Sequence, residues 1–157
     1  MAWTPGPLLK ACAFASLTVW GVALFLPAYV TPLDNDPKHL SSMLGLETLP
    51  IGWAGVEEGK WGWWANPLWL AGLISLFRGR RPQLLPATTA GVLAASALFA
   101  VHIDYGDDHG VNGDSTPGAG AWFWAAAIAV VFVTSLATSL ARGVAMLRAK
   151  PASTASL

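Results

Sequence analysis

The chain has 157 residues, 54% of them hydrophobic and only 11% charged, and its nine basic and nine acidic side chains cancel. Soluble domains carry about 25% charged residues, so this composition excludes an ordinary soluble domain and points to lipid. The few basic residues stand at the ends of apolar runs, which leaves nucleic-acid binding without a basic patch to act through.

Four apolar runs follow one another, roughly 11–30, 61–77, 84–103 and 121–141. Each approaches the ~17 to 25 residues that a helix needs to cross a ~30 Å hydrocarbon core. No charged side chain interrupts them, and a helix satisfies its own backbone groups in lipid. The expected fold is all-α, a polytopic four-transmembrane-helix bundle filling a single domain over 1–150, with a flexible tail at 151–157.

In the first run, Lys10 precedes about twenty apolar residues that close on Leu26-Pro27-Ala28-Tyr29 without a small-x-small cleavage pattern. A retained membrane helix is therefore expected in preference to a cleaved signal. Cys12 is the only cysteine, so it forms no intramolecular disulfide. The loop 31–60 carries a helix-start signal at Asp36-Pro37. Leu40, Met43 and Leu44, with Glu47 less well aligned, follow at helical spacing, so a short amphipathic helix on the membrane surface is expected over 37–48, ended by Leu49-Pro50. The apolar stretch 51–56 is too short to span and is expected to be interfacial or re-entrant. Together these segments predict a structured cap between the first two helices.

The second run is the shortest and opens on Trp64-Ala65-Asn66-Pro67. Asn66 is the one amide inside a predicted span, and a bond to another helix is expected of it. Arg78, Arg80 and Arg81 fill the link to the third run, which carries Ala90, Gly91, Ala94, Ala95 and Ala97. The fourth run carries Ala121, Ala125 and Ala129, then Thr134, Ser135, Thr138 and Ser139. Small residues at four-residue spacing let helices approach closely in lipid, so these two runs are expected to pack as a hairpin. Pro67 and Pro86 fall near the starts of their runs, where a first-turn proline is tolerated.

All nine carboxylates lie within 34–58 and 104–114, whereas eight of the nine basic residues lie outside both stretches. The positive-inside rule then places Lys10, the 78–81 link and Arg142, Arg148 and Lys150 in the cytoplasm, with both termini. The loops 31–60 and 104–120 face outward. Trp53, Trp61, Trp63, Trp64, Trp122, Trp124, Tyr29 and Tyr105 crowd the same outer interface, where they form an anchoring belt or a partner surface. The six tryptophans, with Asp107 and Asp108, are the candidate partner-binding residues.

The chemical candidate lies in 102–114. Asp104, Asp107, Asp108 and Asp114 supply carboxylate oxygens between glycines, and the ring nitrogens of His109, with His102 at the membrane edge, suit a transition metal. The stretch lacks EF-hand spacing and its closing glutamate. A polar turn rich in Asp, Asn and Gly explains the same residues by turn geometry alone. No catalytic residue set emerges: a Walker loop, dinucleotide fingerprint, zinc-protease motif and nucleophile elbow are all missing. No charged residue falls inside a predicted span, which counts against a proton-coupled or ion-driven transporter.

Leu26-Pro27-Ala28-Tyr29, Ile51-Gly52-Trp53-Ala54-Gly55, Trp64-Ala65-Asn66-Pro67-Leu68 and Gly118-Ala-Gly120-Ala-Trp122-Phe-Trp124 together resemble small uncharacterised four-span inner-membrane proteins of bacteria. The resemblance covers most of the chain; it implies the topology and an inner-membrane location, and carries no activity. The expected function is non-enzymatic: a bacterial inner-membrane protein that binds another membrane or periplasmic protein at its acidic, Trp-rich outer face, as an accessory subunit or an immunity-type protein, with no required cofactor. The alternatives are a divalent-cation-dependent enzyme or sensor at that face, and a lipid or quinone site under the Trp-rich cap.

Overall fold

The computed structural model describes residues 6–33, 36–51, 61–80, 83–99 and 115–149. Helix α1 spans Gly6–Leu24 and leads into strand β1, Pro27–Leu33. Strand β2, Asp36–Leu44, runs directly into the short helix α2, Gly45–Ile51. A 3-10 turn at Trp61–Trp64 opens helix α3, Ala65–Phe77; helix α4 is Leu84–Phe99, and strand β3, Thr116–Pro117, precedes helix α5, Ala119–Ala149.

Helices dominate, as expected, but the all-α reading is corrected by a three-stranded sheet in the order β2-β1-β3. Strand β1 pairs antiparallel with β2, placing Thr31 opposite Ser41, and with β3, placing Tyr29 opposite Pro117. Part of the first apolar run is therefore strand. Tyr29, Val30 and Thr31 favour a pleated conformation, and hydropathy alone does not distinguish an apolar strand from the end of a helix. The helix expected over 37–48 is likewise corrected: residues up to Leu44 pair in the sheet, and helix begins only at Gly45. The signal that decides this is Glu47, whose Oε2 accepts the backbone N–H of Leu44 at 2.7 Å, half of a capping box. Pro50 lies inside α2, which ends one residue later.

Of the four expected spans, α1 and α5 are long and apolar enough to cross a membrane, with 19 residues in α1 and 31 in α5. Helix α4 is a shorter apolar helix, and α3 has 13 residues, about 20 Å at 1.5 Å per residue against a ~30 Å core. Length therefore does not support four spans. Pro67 and Pro86 each occupy the third position of their helices, inside the first turn where the missing N–H has no intrahelical partner to lose.

The helices close a ring: α1 packs on α5, α5 on α4, α4 on α3 and α3 on α1. The expected pairing of α4 with α5 is present, and α1 packs on α5 still more extensively. The core between them holds Leu9, Ala13, Trp69, Leu73, Leu76, Ala90, Ala94, Ile128 and Val131. Gly72 of α3 lies against Val131 of α5 across the ring, and a Cβ there would come 2.6 Å from the valine methyl.

The two ends of the bundle differ. At one, α3 finishes in a Schellman motif: Arg80 N–H donates to Ser75 C=O at 2.8 Å, Gly79 N–H to Leu76 C=O at 2.9 Å, and Gly79 adopts φ 65°. Glycine adopts that left-handed geometry without the Cβ strain other residues meet. The motif sets Arg78 and Arg80 beside the start of α1, where Gly79 faces Gly6. The other end carries the sheet, α2, the 3-10 turn and the start of α5.

Candidate functional site

The sheet end is where three of the sequence segments singled out above meet. Helix α1 stops because Pro27 follows shortly after Leu24 and its residues enter the sheet. The freed Leu26 C=O accepts Gly45 N–H at 3.0 Å, and Ala28 C=O accepts Gly118 N–H at 2.8 Å. Glycine is required at both closures. A Cβ on Gly120 would stand 2.6 Å from Leu26 O and 2.9 Å from Ala23 O, and one on Gly118 or Gly45 would overlap the Pro27 or Ala23 carbonyl. The Pro-Ala-Tyr corner and the Gly-Ala-Gly start of α5 are thus two halves of one joint.

A few residues deeper lie two polar layers in an otherwise apolar interior. In the first, Trp124 Nε1 of α5 donates to Asn66 Oδ1 of α3 at 2.8 Å. The interhelical bond expected of Asn66 is present, and Trp124 is its partner. In the second, one turn along both helices, Trp69 Nε1 donates to Ser16 Oγ at 2.8 Å and Ser16 donates to Ala127 C=O at 2.7 Å. Ser16 is fully buried, so α1, α3 and α5 are tied by a chain in which every polar atom has a use. Trp20 stacks on Trp69 with centroids 5.2 Å apart and planes 19° from parallel. Its Nε1 is the one buried side-chain polar atom without a hydrogen-bond partner among the described residues.

The remaining indoles divide by role. Trp63 Nε1 donates to Leu49 C=O at 2.9 Å, which fastens the 3-10 turn to α2; this ring packs on the outer loop. Trp61, Trp64 and Trp122 are exposed, and Trp64 meets Trp63 edge-on at 5.6 Å. Thr31 and Ser115 share a buried hydroxyl pair at 2.6 Å that joins β1 to the start of β3. So of the candidate partner residues, Trp61, Trp64 and Trp122 present free surface, while Trp63 and Trp124 are committed to internal bonds.

Trp53, His102, Asp104, Asp107, Asp108, His109 and Asp114 lie outside the described residues, so the metal candidate is not located. Among the described residues no group of three or more His, Cys, Asp or Glu side chains gathers. Sequence reasoning missed Ser16, Trp20 and Trp69. The signal was available: a serine and two tryptophans inside apolar runs, where an indole N–H or hydroxyl must find an acceptor within the protein. Comparison with known proteins finds no matching family model, no similar curated protein and no similar solved structure.

Proposed function

We propose that the chain is a non-enzymatic integral membrane protein whose sheet end faces outward and binds a protein partner, as an accessory subunit or an immunity-type protein of the bacterial inner membrane. The observation that carries the membrane part is the distribution of apolar surface. Only 22% of the α1 window and 28% of the α5 window is buried inside the protein, and Phe14, Val22, Leu70, Val92 and Val133 are among the large apolar side chains left exposed. The core helix of a soluble protein hides such a window. The interior, by contrast, holds Ser16, Ser135 and Thr138, the polar-in, apolar-out arrangement suited to lipid.

Four crossings are proposed on the packing. If α1 and α5 cross the bilayer, α3 and α4 lie at the same depth, because each packs alongside them in the ring. The 3-10 turn lengthens α3 by Trp61–Trp64. Arg78 and Arg80 beside the start of α1, with Lys10, give the cytoplasmic end.

The outward end then carries the exposed indoles of Trp61, Trp64 and Trp122, and the acidic residues that the positive-inside rule assigns to the same side of the membrane steer a basic partner toward it. A tagged full-length chain is expected to co-purify a stoichiometric partner from its native membrane, and Asp107→Asn with Asp108→Asn to lower the yield of that partner; a chain that purifies alone contradicts the reading. The same preparation tests a second reading, favoured by the unpartnered Trp20 Nε1 beside Trp69: a lipid or quinone carbonyl accepts from it under the cap. Mass spectrometry of a mild extract reads that outcome, with retention lost in Trp20→Phe.

A further inference from the structure

Helices α1 and α3 run antiparallel: Gly79 at the end of α3 faces Gly6 at the start of α1, and further along Trp69 bonds Ser16. On α1, Lys10, Phe14 and Leu17 follow at four- and three-residue steps and are all exposed, so they share one face. On α3, Leu70, Ile74 and Phe77 have the same spacing, the first two exposed and Phe77 half-buried. The rings of Phe14 and Phe77 meet edge-on with centroids 5.0 Å apart. That contact joins the two faces into one apolar seam on the outside of the bundle. Lys10 lies one turn before Phe14, and Arg78 directly follows Phe77.

The charges at the mouth of this seam have no counter-charge within reach. The two acidic residues described, Asp36 of β2 and Glu47 of α2, belong to the opposite end, and no acidic residue occurs before Asp34, between Glu58 and Asp104 or after Asp114. Capping of α3 does not occupy the guanidinium groups either, because the carbonyls of Ile74, Ser75 and Leu76 already accept backbone N–H groups. Lys10, Arg78 and Arg80 are all exposed, and the free amides at the start of α1 add partial positive charge beside them. The positive-inside rule asks for basic residues on this side of the membrane. It does not ask two helices to converge them at the mouth of an apolar seam.

We propose that the seam holds an anionic phospholipid of the cytoplasmic leaflet, its phosphate at Lys10, Arg78 and Arg80 and one acyl chain against Phe14, Phe77 and Ile74. Charge complementarity selects this occupant: arginine and lysine bond phosphate oxygens strongly, and basic sites between helices on the cytoplasmic side suit anionic headgroups. The long stems of all three cations reach from apolar surface to headgroup level. Gly21, one turn past Leu17 on the same face, has open space where a Cβ would stand, which leaves room for the chain to continue. The inference rests on the membrane reading, since only an inserted bundle meets an acyl chain at this depth.

Thermal unfolding of the full-length chain in dodecyl maltoside tests this, with added phosphatidylglycerol, phosphatidylcholine of the same acyl chains, or glycerol 3-phosphate. Phosphatidylglycerol is expected to raise the midpoint by several degrees over phosphatidylcholine, as a ligand of the folded state does, and glycerol 3-phosphate to leave it unmoved. Lys10→Gln with Arg78→Gln is expected to lose that increment. The charge-conserving Lys10→Arg with Arg78→Lys is expected to keep it, which separates loss of charge from loss of fold. Arg142→Gln with Arg148→Gln, on the same side of the membrane but outside the seam, is expected to keep it too. Equal midpoints in the two lipids, an equal effect of glycerol 3-phosphate, or equal loss in the two glutamine variants would each overturn the site. Extraction reads insertion separately: a chain recovered without detergent removes the membrane reading and the site with it, whereas a membrane-extracted chain without the phosphatidylglycerol preference removes the site alone.

Discussion

Ser16 shows how one side chain organises this interior. Its hydroxyl accepts from Trp69 and donates to Ala127 C=O, so it joins three helices that sequence places far apart. Removing it strands the buried indole N–H of Trp69, while the Ala127 carbonyl keeps its place in the α5 ladder, at a cost of roughly 1–3 kcal/mol for a stranded buried group. Ser16→Ala is expected to lower the unfolding midpoint in detergent, and Trp69→Phe to do the same. The double variant should lose less than the sum, because the two changes remove one shared bond. Additive losses would mean that the bond contributes nothing beyond packing. Trp20 is the counterpart: a half-buried indole whose ring stacks on Trp69 but whose N–H lies outside the bonding.

Among the elements, the glycines of the sheet end let α2 and the start of α5 close against the backbone where α1 ends. Gly120 meets three backbone oxygens, those of Leu26, Ala23 and Pro27, and backbone cannot swing aside as a flexible side chain does. Gly120→Ala is expected to destabilise the fold by about 1–3 kcal/mol, the usual range for overpacking. Gly21, inside α1 with nothing within 4 Å of its Cβ position, is the control; Gly21→Ala should be neutral or stabilising by up to about 1 kcal/mol. Thermal unfolding of the two variants side by side checks the contrast, and equal shifts would refute the close approach. The helices were legible in the sequence because apolar runs and arginine-rich ends are local features, and Asn66 was legible because a lone amide in such a run needs an acceptor or donor. The sheet was not. Val30 and Thr31 read equally well as the end of a helix until their pairing with Ser42 and Ser41 is known, and Asp36-Pro37 imitates a helix start that the chain makes only at Gly45, with Glu47 capping it. The paired use of Ser16 and Trp69 was hidden for the same reason: 53 residues separate them.

The whole molecule combines an apolar exterior, a small set of interior hydroxyls and indoles, and two unlike ends. Basic side chains gather at the end where α3 closes, while the sheet, α2 and the exposed tryptophans gather at the other. In the proposed arrangement this bundle lies across a membrane with the sheet end outward. Labelling with a membrane-impermeant maleimide tests it, using single-cysteine chains in the Cys12→Ser background. Ser41→Cys, exposed on β2, marks the sheet end, and Gln83→Cys, exposed before α4, marks the arginine end. Ser41→Cys is expected to label in intact spheroplasts, and Gln83→Cys only after the membrane is permeabilised. Labelling of Gln83→Cys alone in intact spheroplasts, or of both positions equally in a chain that does not sediment with membranes, would contradict it.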